Sequence, residues 1–529
     1  MVTDIPELRH YIALYLDFGT LKAFSLVCKE WYLDARPILW CRFSCVVPPK
    51  CSESPEEYAV WLETIRKNAI SFRRIYYFGY NDHSKPEICD VLLGRCHSLV
   101  SIEMLLASGN LRNDWRCWEE KLRPLVEQNK ASLRQLHLRV IQDILMTSLQ
   151  LQNLLASLPH LRSLELFAPS IVIEDLLPIL DACPRSLERL NLLSTLLRRK
   201  ELDQGNSVNF PSQTSIISTA TSLRLKQLRM EYPCYHNTLE DILSRLAVHN
   251  LEELQVYVTG PLLMSPTIRD ALWRLTRLHL REMSPVIERA LPGILDSIHP
   301  HQLRHVNLGS MDTRNIMTLI EQQHQSLESL SIHFMDGHEG ALAEIMTTCV
   351  SLRSLNFSTQ PFVNIRTLID AQKPWVCTRL EVFEGCFGLS PPRPLASSDF
   401  NDNLGAMLAK QFEKLFMRRL GRLTNLRSIV QKRKPERQYF YDPVSRKWME
   451  KRVMRWSLDS GLVHLQGLVN LQTFKVLDRG MPTGMGVPEM MFIKQHWRSL
   501  KELACSDVGG VDVQEWLANE WPELKVSMS

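Results

Sequence analysis

The sequence of 529 residues predicts an α/β solenoid, in which short parallel strands alternate with helices along stacked repeats. Three observations support this prediction. A pattern of Leu, two residues, an apolar residue, one residue and an apolar residue recurs along most of the chain. Its copies lie 24–28 residues apart between Leu225 and Leu380. The residues between copies, such as 239–246, show the apolar spacing of helices.

The copies of this pattern begin at residues that are nearly all leucines. They begin at Phe72, Leu99, Leu133, Leu161, Leu187, Leu225, Leu251, Leu275, Leu303, Leu327, Leu352, Leu471 and Leu500, with weaker copies at Leu380 and Leu426. One copy is common by chance in a Leu-rich chain. Seven in register, at a period of about 20–29 residues, are typical of leucine-rich repeats. The apolar offsets point inward where a short strand joins a stacked parallel sheet.

Composition excludes several classes of protein. Apolar residues make up 45% and charged residues 23%, as in globular domains, so disorder over the whole chain is excluded. The net charge of +4 does not predict a nucleic-acid binder. The sequence contains neither an apolar stretch long enough for a transmembrane helix nor the features of a secretory signal. We therefore expect an intracellular protein, cytoplasmic or nuclear, without a membrane partner.

The cysteines and the missing motifs predict no catalytic chemistry. Thirteen cysteines are scattered without a Cys-x-x-Cys pair, which indicates reduced, mostly buried thiols and no metal site. Those just ahead of a repeat (Cys96, Cys183, Cys349 and Cys377) are expected to fill corners between helix and strand. No phosphate-binding loop, metalloprotease, hydrolase or kinase signature is present. We predict no catalytic residue, no cofactor and no enzyme activity.

Residues 4–45 do not fit the repeat. Ile5, Leu8, Ile12 and Leu16 lie on one face of an amphipathic helix, and two further short helices are expected before residue 41. A segment of about forty residues buries too small an apolar core to be stable by itself. Large apolar residues in such a segment often pack against a partner.

This segment resembles an F-box. The resemblance is carried by Ile5-Pro6-Glu7, by Leu26-Val27-Cys28-Lys29-x-Trp31 and by Pro37-x-Leu39-Trp40. With the repeats, it is similar to the fungal type of F-box protein with leucine-rich repeats. The resemblance implies docking on the Skp-type adaptor, and through it the cullin, of an SCF ubiquitin ligase. The implied adaptor contacts are Ile5, Pro6, Ile12, Leu16, Leu26, Val27, Cys28 and Trp31, while Trp40 either joins them or closes the segment against residues 46–70.

The chain is expected to divide in three. Residues 1–45 form the F-box, 46–70 a linker or cap, and 71–529 the solenoid, with insertions near 195–222, 386–412 and 431–458. Residues 411–455 hold 14 Lys or Arg against 4 Asp or Glu. A solvated insertion explains this basic run, and nuclear import or an acidic partner stays open. Nucleic-acid binding is not expected.

Residues that alternate with the inward apolar positions form a polar strand face, expected on the concave side of a horseshoe. Its most cationic part is the candidate substrate site, composed of Arg277, His279, Arg281, His305, Asn307 and His333. Guanidinium groups there would suit an acidic or phosphorylated segment of an unknown protein substrate. An ordinary solvated strand face is the alternative.

Three functions fit these features. The leading one is the non-catalytic substrate-recognition subunit of a ubiquitin ligase, which acts by bringing its target close to the loaded conjugating enzyme. The second is an adaptor-independent scaffold, in which residues 4–45 cap the solenoid. The third is a GTPase activator, which would need an Arg or Asn projecting from a repeat edge. Exposure of Leu26, Val27, Cys28 and Trp31 separates the first from the second.

Overall fold

The structure is a computed structural model, in which the chain contacts form two compact units. The first unit comprises residues 1–257 and 265–271, and the second comprises 258–264 and 272–529. The residues that the structure describes are 6–45, 54–80, 86–107, 118–140, 148–167, 173–193, 224–234, 236–246, 251–258, 265–281, 291–334, 339–359, 363–370, 373–389, 402–432, 440–442, 447–449, 454–477, 485–505 and 510–527.

Helices and strands alternate along both units. The helices are α1 (Pro6–Tyr15), α2 (Phe18–Ser25), α3 (Lys29–Leu39), α4 (Pro55–Asn68), α5 (Pro86–Arg95), α6 (Arg123–Gln128), α7 (Ser148–Ala156), α8 (Ile173–Asp181), α9 (His236–Leu246), α10 (Pro266–Leu272), α11 (Leu291–Asp296), α12 (Thr313–Gln323), α13 (Glu339–Thr348), α14 (Ile365–Asp370), α15 (Asp402–Leu420), α16 (Val487–His496) and α17 (Gly510–Glu520). Short 3-10 turns lie at Ala69–Ser71 and Leu462–Leu465, and a π turn at Trp118–Leu122.

The strands are short, as the repeat predicts. They are β1 (Arg42–Cys45), β2 (Arg74–Tyr80), β3 (Ser101–Ala107), β4 (Gln135–Val140), β5 (Ser163–Phe167), β6 (Arg189–Leu192), β7 (Gln227–Cys234), β8 (Glu253–Val258), β9 (Arg277–Arg281), β10 (His305–Met311), β11 (Ser329–Phe334), β12 (Ser354–Thr359), β13 (Val363–Asn364), β14 (Val382–Gly385), β15 (Phe387–Gly388), β16 (Ser428–Gln431), β17 (Phe440–Asp442), β18 (Lys447–Met449), β19 (Thr473–Val476), β20 (Glu502–Cys505) and β21 (Lys525–Ser527).

In the first unit, β1 to β7 pair in chain order and all in parallel. The backbone N–H groups of Glu252 and Glu253, at the start of β8, donate to the carbonyl oxygen of Lys226 at 2.8 and 2.9 Å. The register places equivalent repeat positions side by side, as with Leu136 and Leu164. Each repeat therefore adds one strand beside the last.

In the second unit, the parallel order is β9, β10, β11, β12, β14, β16, β19, β20 and β21. The weak repeat copies at Leu380 and Leu426 lead into β14 and β16, which are regular members of this order. Two small additions stand beside it: β13 pairs with β15 in parallel, and β17 with β18 antiparallel.

The repeat leucines form the core of each unit. The residues at offsets 0, +3 and +5 are buried in the described repeats, as Leu303, Val306 and Leu308 show. Side chains alternate across a strand, so these offsets place every apolar residue on the helix-covered side of the sheet. The prediction of an α/β solenoid built from leucine-rich repeats is confirmed.

A ladder of peptide groups joins one repeat to the next at the entrance of each strand. The carbonyl oxygen of Arg304, for example, accepts from the N–H groups of Glu328 and Ser329 at 2.8 and 2.9 Å. From Arg304 to Arg427 the side chains at this position alternate in charge, and a guanidinium nitrogen of Arg304 lies 3.7 Å from a carboxylate oxygen of Glu328. Because the Arg304 side chain is 63% exposed and that of Glu328 is 32% exposed, water screens the ion pair, and the peptide hydrogen bonds carry more of the stability.

The first strand lies within the segment that resembles the F-box. Trp40, Phe43 and Cys45 occupy offsets 0, +3 and +5 of a repeat that lacks leucines, and β1 pairs with β2. Trp40 stacks on Phe72, which holds the same offset in the next repeat, with 6.2 Å between ring centroids. The sheet therefore starts before residue 46.

Aromatic side chains fill the core of the second unit near its end. Phe387 lies 5.5 Å from Phe416 between ring centroids, and Phe474 lies 4.9 Å from Trp456 and 5.2 Å from Trp497. The indole N–H of Trp456 donates to Gln431 Oε1 at 2.6 Å, which satisfies its buried donor. Among the described residues, none of the helices has both the length and the apolar character to cross a membrane.

Candidate protein-interaction surfaces

Helices α1 to α3 pack around a core of their own. Ala13, Leu21, Phe24 and Ala35 are buried together in it. The carboxylate of Asp17 caps α2 by accepting from the Thr20 N–H at 3.0 Å. Arg9 Nε donates to Asp34 Oδ2 at 2.6 Å and ties α1 to α3. The segment is thus a folded unit with defined inner and outer sides.

The connection between α2 and α3 exposes large apolar side chains. Leu26 is 78% exposed and Val27 is 60% exposed, and Cys28 beside them is also exposed. The backbone here is ordered, because the N–H groups of Leu26 and Val27 donate to the carbonyl oxygens of Ala23 and Phe24 at 3.0 and 3.2 Å. The exposure therefore belongs to a fixed turn.

The structure places the predicted adaptor residues in two groups. Ile12 is 41% exposed, like the residues of the α2–α3 connection. Leu16 and Trp31 are partly buried against the helical core, and the Trp31 ring lies 4.2 Å from that of Phe24. Ile5 lies outside the described residues, as does the side chain of Pro6, the first residue of α1.

Sequence reasoning missed other apolar residues that the segment exposes. They are Leu14, Tyr15, Tyr32 and Leu33. The helical spacing that assigned Leu8, Ile12 and Leu16 to one face gave no weight to apolar residues on the other faces. An apolar residue on the expected polar side was the signal that could have found them.

The segment is anchored to the first repeats. Arg36 Nε donates to Asn68 Oδ1 at 2.8 Å, and a second nitrogen of the same guanidinium donates to the Lys67 carbonyl at 2.5 Å. The Cys41 carbonyl accepts from the N–H groups of Arg73 and Arg74, both at 2.9 Å, as the first step of the peptide ladder. These contacts and the stack of Trp40 on Phe72 hold the segment on the first repeats.

In the second unit, the candidate substrate residues lie on three neighbouring strands. His305 pairs in register with Arg277, and Asn307 with His279. Arg277 is exposed and the other three are half-buried. Arg281 ends β9, and its side chain lies outside the described part of the chain. Arg277, His279, His305 and Asn307 thus share the polar strand face of β9 and β10.

His333 is separated from this group by a register shift in β10. The shift lies between Leu308 and Ser310, so that His333 pairs with Ser310. Its Nδ1 makes a hydrogen bond of 2.7 Å with Ser358 Oγ on the far side, on β12. The structure thus brings four of the six residues together on two strands and directs His333 away from them.

The polar strand face of the first unit carries a network of ion pairs and hydrogen bonds around Arg139. Arg139 Nε donates to Glu165 Oε1 at 2.8 Å, and another nitrogen of Arg139 lies 3.8 Å from Glu103. Asn191 Nδ2 donates to the second oxygen of Glu165 at 3.3 Å. Partial burial acts to lower the pKa of Arg139, but the hydrogen bond and charge of Glu165 raise it overall. The sequence signal for this network was the charge of strand-face residues: Glu103 and Glu165 lie at offset +4 of their repeats, and Arg139 lies at offset +6 of the repeat between them.

These surfaces suit the binding of protein segments by hydrogen bonds and apolar contact. Burial raises the pKa of Cys96 and Cys183 to about 12, so neither offers a thiolate nucleophile. Within the described ranges, no three His, Cys, Asp or Glu side chains stand close enough to hold a metal ion.

Comparisons with known proteins give distant structural neighbours. No family model matches the chain, and no curated protein matches it. The leucine-rich-repeat protein LegL7 from Legionella pneumophila is 14% identical with a TM-score of 0.32, over 60% of this chain and 91% of its own. A chain from the Rad7 and Elc1 complex in yeast is 13% identical with a TM-score of 0.42, over 90% and 96%.

A third neighbour comes from a complex of TLR13 with ssRNA13. It is 12% identical with a TM-score of 0.29, over 89% of this chain and 76% of its own. At these identities and TM-scores, the likeness says nothing about what this chain binds.

Proposed function

We propose that the chain is the substrate-recognition subunit of an SCF-type ubiquitin ligase. Its three-helix segment docks on the Skp-type adaptor, and its repeats hold the target protein. The observation that carries this proposal is the exposure of Leu26 and Val27 on an ordered turn. This turn is where the F-box resemblance places adaptor contacts.

The energetic argument concerns apolar surface. The segment has its own core, yet it leaves Ile12, Leu26 and Val27 facing solvent. Burying a large aliphatic side chain gains roughly 1.5–3 kcal/mol, so a partner that covers this surface is stabilised by it. Trp31 and Leu16 contribute indirectly, because they support the turn from the core side.

The mechanism is proximity. The subunit performs no covalent step and raises the effective concentration of a target lysine near the loaded conjugating enzyme. Proximity is most effective when the adaptor-binding helices are held rigidly on the repeats that bind the target. The contacts from Arg36 to Asn68, and the pairing of β1 with β2, hold the helical segment on the first repeats.

The scaffold function remains the second candidate, because one observation favours it. The segment covers the beginning of the sheet through β1 and the Trp40–Phe72 stack, which is what a cap does. A cap covers the end of the sheet with its inner side alone. A capping role therefore does not explain why Leu26 and Val27 are apolar on the outer turn.

A binding experiment separates the two. The double variant Leu26→Asp/Val27→Asp changes only exposed side chains, so it is expected to fold. Full-length wild-type chain, co-expressed with a Skp-type adaptor and cullin, should capture both. The variant should bind roughly a hundredfold more weakly, since two aliphatic contacts are lost.

The matched control is Val60→Asp/Ile70→Asp, which places two charges at positions 69% and 68% exposed outside the three helices. This control should bind as wild type does. Failure of the folded wild-type chain to capture the adaptor would leave the segment as a cap, and equal loss in both variants would place the contact elsewhere.

A further inference from the structure

Helix α15 of the second unit presents a row of positive charges to solvent. Lys410, Lys414 and Arg418 form this basic row, and all three are exposed and follow one another at four-residue spacing. Residues four apart lie on one side of a helix, about 6 Å apart along its axis. Like charges at this spacing repel each other and destabilise the helix. An anionic partner removes that repulsion.

The helix itself supplies no exposed counter-charge for the basic row. Glu413 is the only acidic residue between positions 407 and 420. It is 5% exposed, and its carboxylate accepts from the Arg455 N–H at 3.0 Å. Among the described residues, no carboxylate lies within ion-pair distance of Lys414 or Arg418. Two of the three charges in the row are therefore balanced by solvent alone.

A carboxylate already occupies one end of the basic row. Lys410 Nζ donates to Asp459 Oδ2 at 3.2 Å. The Asp459 side chain is 87% exposed, so it meets the lysine in solvent and is not packed against the core. This ion pair joins α15 to a segment that lies nearly fifty residues further along the chain. An acidic side chain on another polypeptide can reach Lys414 and Arg418 from the same side.

Apolar side chains lie on the same exposed face of α15. Met407, Leu408 and Leu415 are 52%, 37% and 44% exposed. Because seven residues make nearly two turns of a helix, Leu408 and Leu415 lie one above the other. Val463, on the 3-10 turn that packs beside this helix, is 45% exposed. Apolar residues grouped in this way on a surface are typical of an interaction site.

The helix is fixed in place before any partner arrives. Phe416, Met417 and Leu420 on its inner side are fully buried. The Arg419 guanidinium donates to the Leu368 carbonyl at 2.9 Å and ties α15 to α14. Binding on the outer face therefore requires no ordering of this helix, which favours affinity.

We propose that the outer face of α15 binds an acidic segment of a protein partner, in which apolar residues accompany the carboxylates. The partner's carboxylates pair with Lys414 and Arg418, as Asp459 pairs with Lys410. Its apolar side chains cover Leu408 and Leu415. The charges of the face select an acidic segment, and its leucines select one that also carries apolar residues.

Two other polyanions fit this face less well. A nucleic-acid strand would match the basic row with its phosphates and would leave the leucines exposed. A membrane surface needs a helix whose apolar face sinks between the lipids, whereas the apolar side of α15 is packed into the second unit. The face also includes no residue of helices α1 to α3, so it does not depend on adaptor binding.

The probes are pools of synthetic peptides of random order, applied to the immobilised full-length chain. The first pool is composed of Glu, Leu and Ser, the second of Glu and Ser, and the third of Lys, Leu and Ser. The first pool should be retained, and raising the salt concentration should weaken its retention, because salt screens exposed ion pairs. The second pool should bind about tenfold more weakly, since no apolar contact forms. The third should not be retained.

The variant Lys414→Glu/Arg418→Glu should lower retention of the first pool at least about tenfold, because attraction is replaced by repulsion. Both changes lie at exposed positions, so the circular dichroism of the chain should not change. The matched control is Arg314→Glu/Lys501→Glu, which makes the same change of charge at exposed positions on α12 and before β20. This control should retain the first pool as wild type does.

The apolar contact has its own variant. Met407→Ser/Leu415→Ser removes two exposed apolar side chains of the face and leaves the basic row intact. It should weaken retention of the first pool and leave retention of the second pool unchanged. Equal retention of the first pool by this variant and by wild type would contradict the apolar part of the proposal.

Four further results would overturn the proposal. They are no retention of the first pool by the folded wild-type chain, equal retention of the third pool, equal loss in the Lys414/Arg418 variant and its control, and tighter retention of single-stranded DNA or phosphatidylserine vesicles than of the first pool. Leu26→Asp/Val27→Asp should bind the first pool normally, which distinguishes failure of this face from failure of adaptor docking.

Discussion

Cys183 and Cys377 lie buried between a helix and a strand, and Cys505 lies buried at the end of β20; burial raises the pKa of each thiol to about 12. The cause is the loss of solvation for the thiolate. The same burial raises the pKa of Cys349 to about 11. The expectation that the cysteines ahead of a repeat fill corners of the core is confirmed by their burial.

Alkylation measures this directly. At pH 8, a thiol with a pKa near 12 is ionised in only about one molecule in ten thousand. We expect iodoacetamide to modify the exposed Cys28 in the folded chain and to leave Cys183 and Cys377 intact. Peptide mapping by mass spectrometry, with a urea-unfolded sample as control, reads out each site. Rapid modification of Cys183 in the folded protein would contradict the burial.

Gly421 is required by a close approach of two backbone segments. A Cβ atom there would lie 2.0 Å from the carbonyl oxygen of His464. A backbone oxygen cannot turn away as the end of a side chain can. The turn after α15 is therefore open to glycine alone, whereas Gly467 nearby has no atom closer than 3.8 Å to the same added carbon.

The variant Gly421→Ala should lower the free energy of unfolding by about 3 kcal/mol, the upper end of the range for overpacking. Gly467→Ala should stay within about 1 kcal/mol of wild type. The urea midpoint of tryptophan fluorescence reports on both, because Trp456 and Trp497 are buried in this unit. Equal midpoints for the two variants would show that the turn relaxes freely.

At the scale of elements, buried amides join helices to the strands of neighbouring repeats. Asn129, at the end of α6, accepts from the Leu99 N–H at 2.9 Å and donates to the Cys96 carbonyl at 2.8 Å. Gln323 at the end of α12 similarly accepts from the N–H groups of Gln302 and Leu303 at 2.9 and 3.0 Å. Each amide satisfies peptide groups that the turn before a strand leaves unpaired.

The spacing of leucines predicted most strands, because three apolar residues at fixed offsets can all be buried only when a short strand joins a stacked parallel sheet. The spacing missed β1, where Trp40 and Phe43 replace leucines. It also missed β21, because the preceding leucine, Leu524, does not hold the repeat position that Leu500 holds before β20. The shift in β10 was also unpredictable, since it depends on backbone pairing and leaves the apolar spacing intact. His333 consequently pairs with Ser310, and its imidazole makes its hydrogen bond to Ser358 on β12.

The exposure of the residues proposed to contact the adaptor was predicted only in part. Leu26 and Val27 are exposed, yet Trp31 in the same motif packs against Phe24. A sequence motif does not say which of its apolar residues face inward, because a small helical core draws on the same residue types as an interface.

At the scale of the molecule, two compact units of stacked repeats imply local cooperativity. In a solenoid, stability is close to a sum over repeats and their neighbouring interfaces. The variant Asn129→Ala leaves buried peptide groups unpaired, which costs about 1–3 kcal/mol for each group. The cost should fall on the first unit, where β3 and β4 lie.

Hydrogen exchange tests this expectation. Amides of β3 and β4 should exchange at least about tenfold faster in Asn129→Ala, and those of β11 and β12 should exchange as in wild type. Lys130→Ala, at the exposed neighbouring position, serves as the control and should change neither. Equal acceleration across both units would indicate that the chain unfolds as one cooperative body.

The pairing of β1 with β2 bears on how such proteins could be recombined. A cut after residue 45, which the repeat pattern suggests, would remove β1 and leave the N–H and C=O groups of β2 as an open edge. Open edges recruit other strands and promote aggregation. A cut after Leu39 keeps Trp40 and Phe43 with the repeats. An exchangeable helical module therefore ends at the last turn of α3. A chimaera joined there keeps β1 paired with β2.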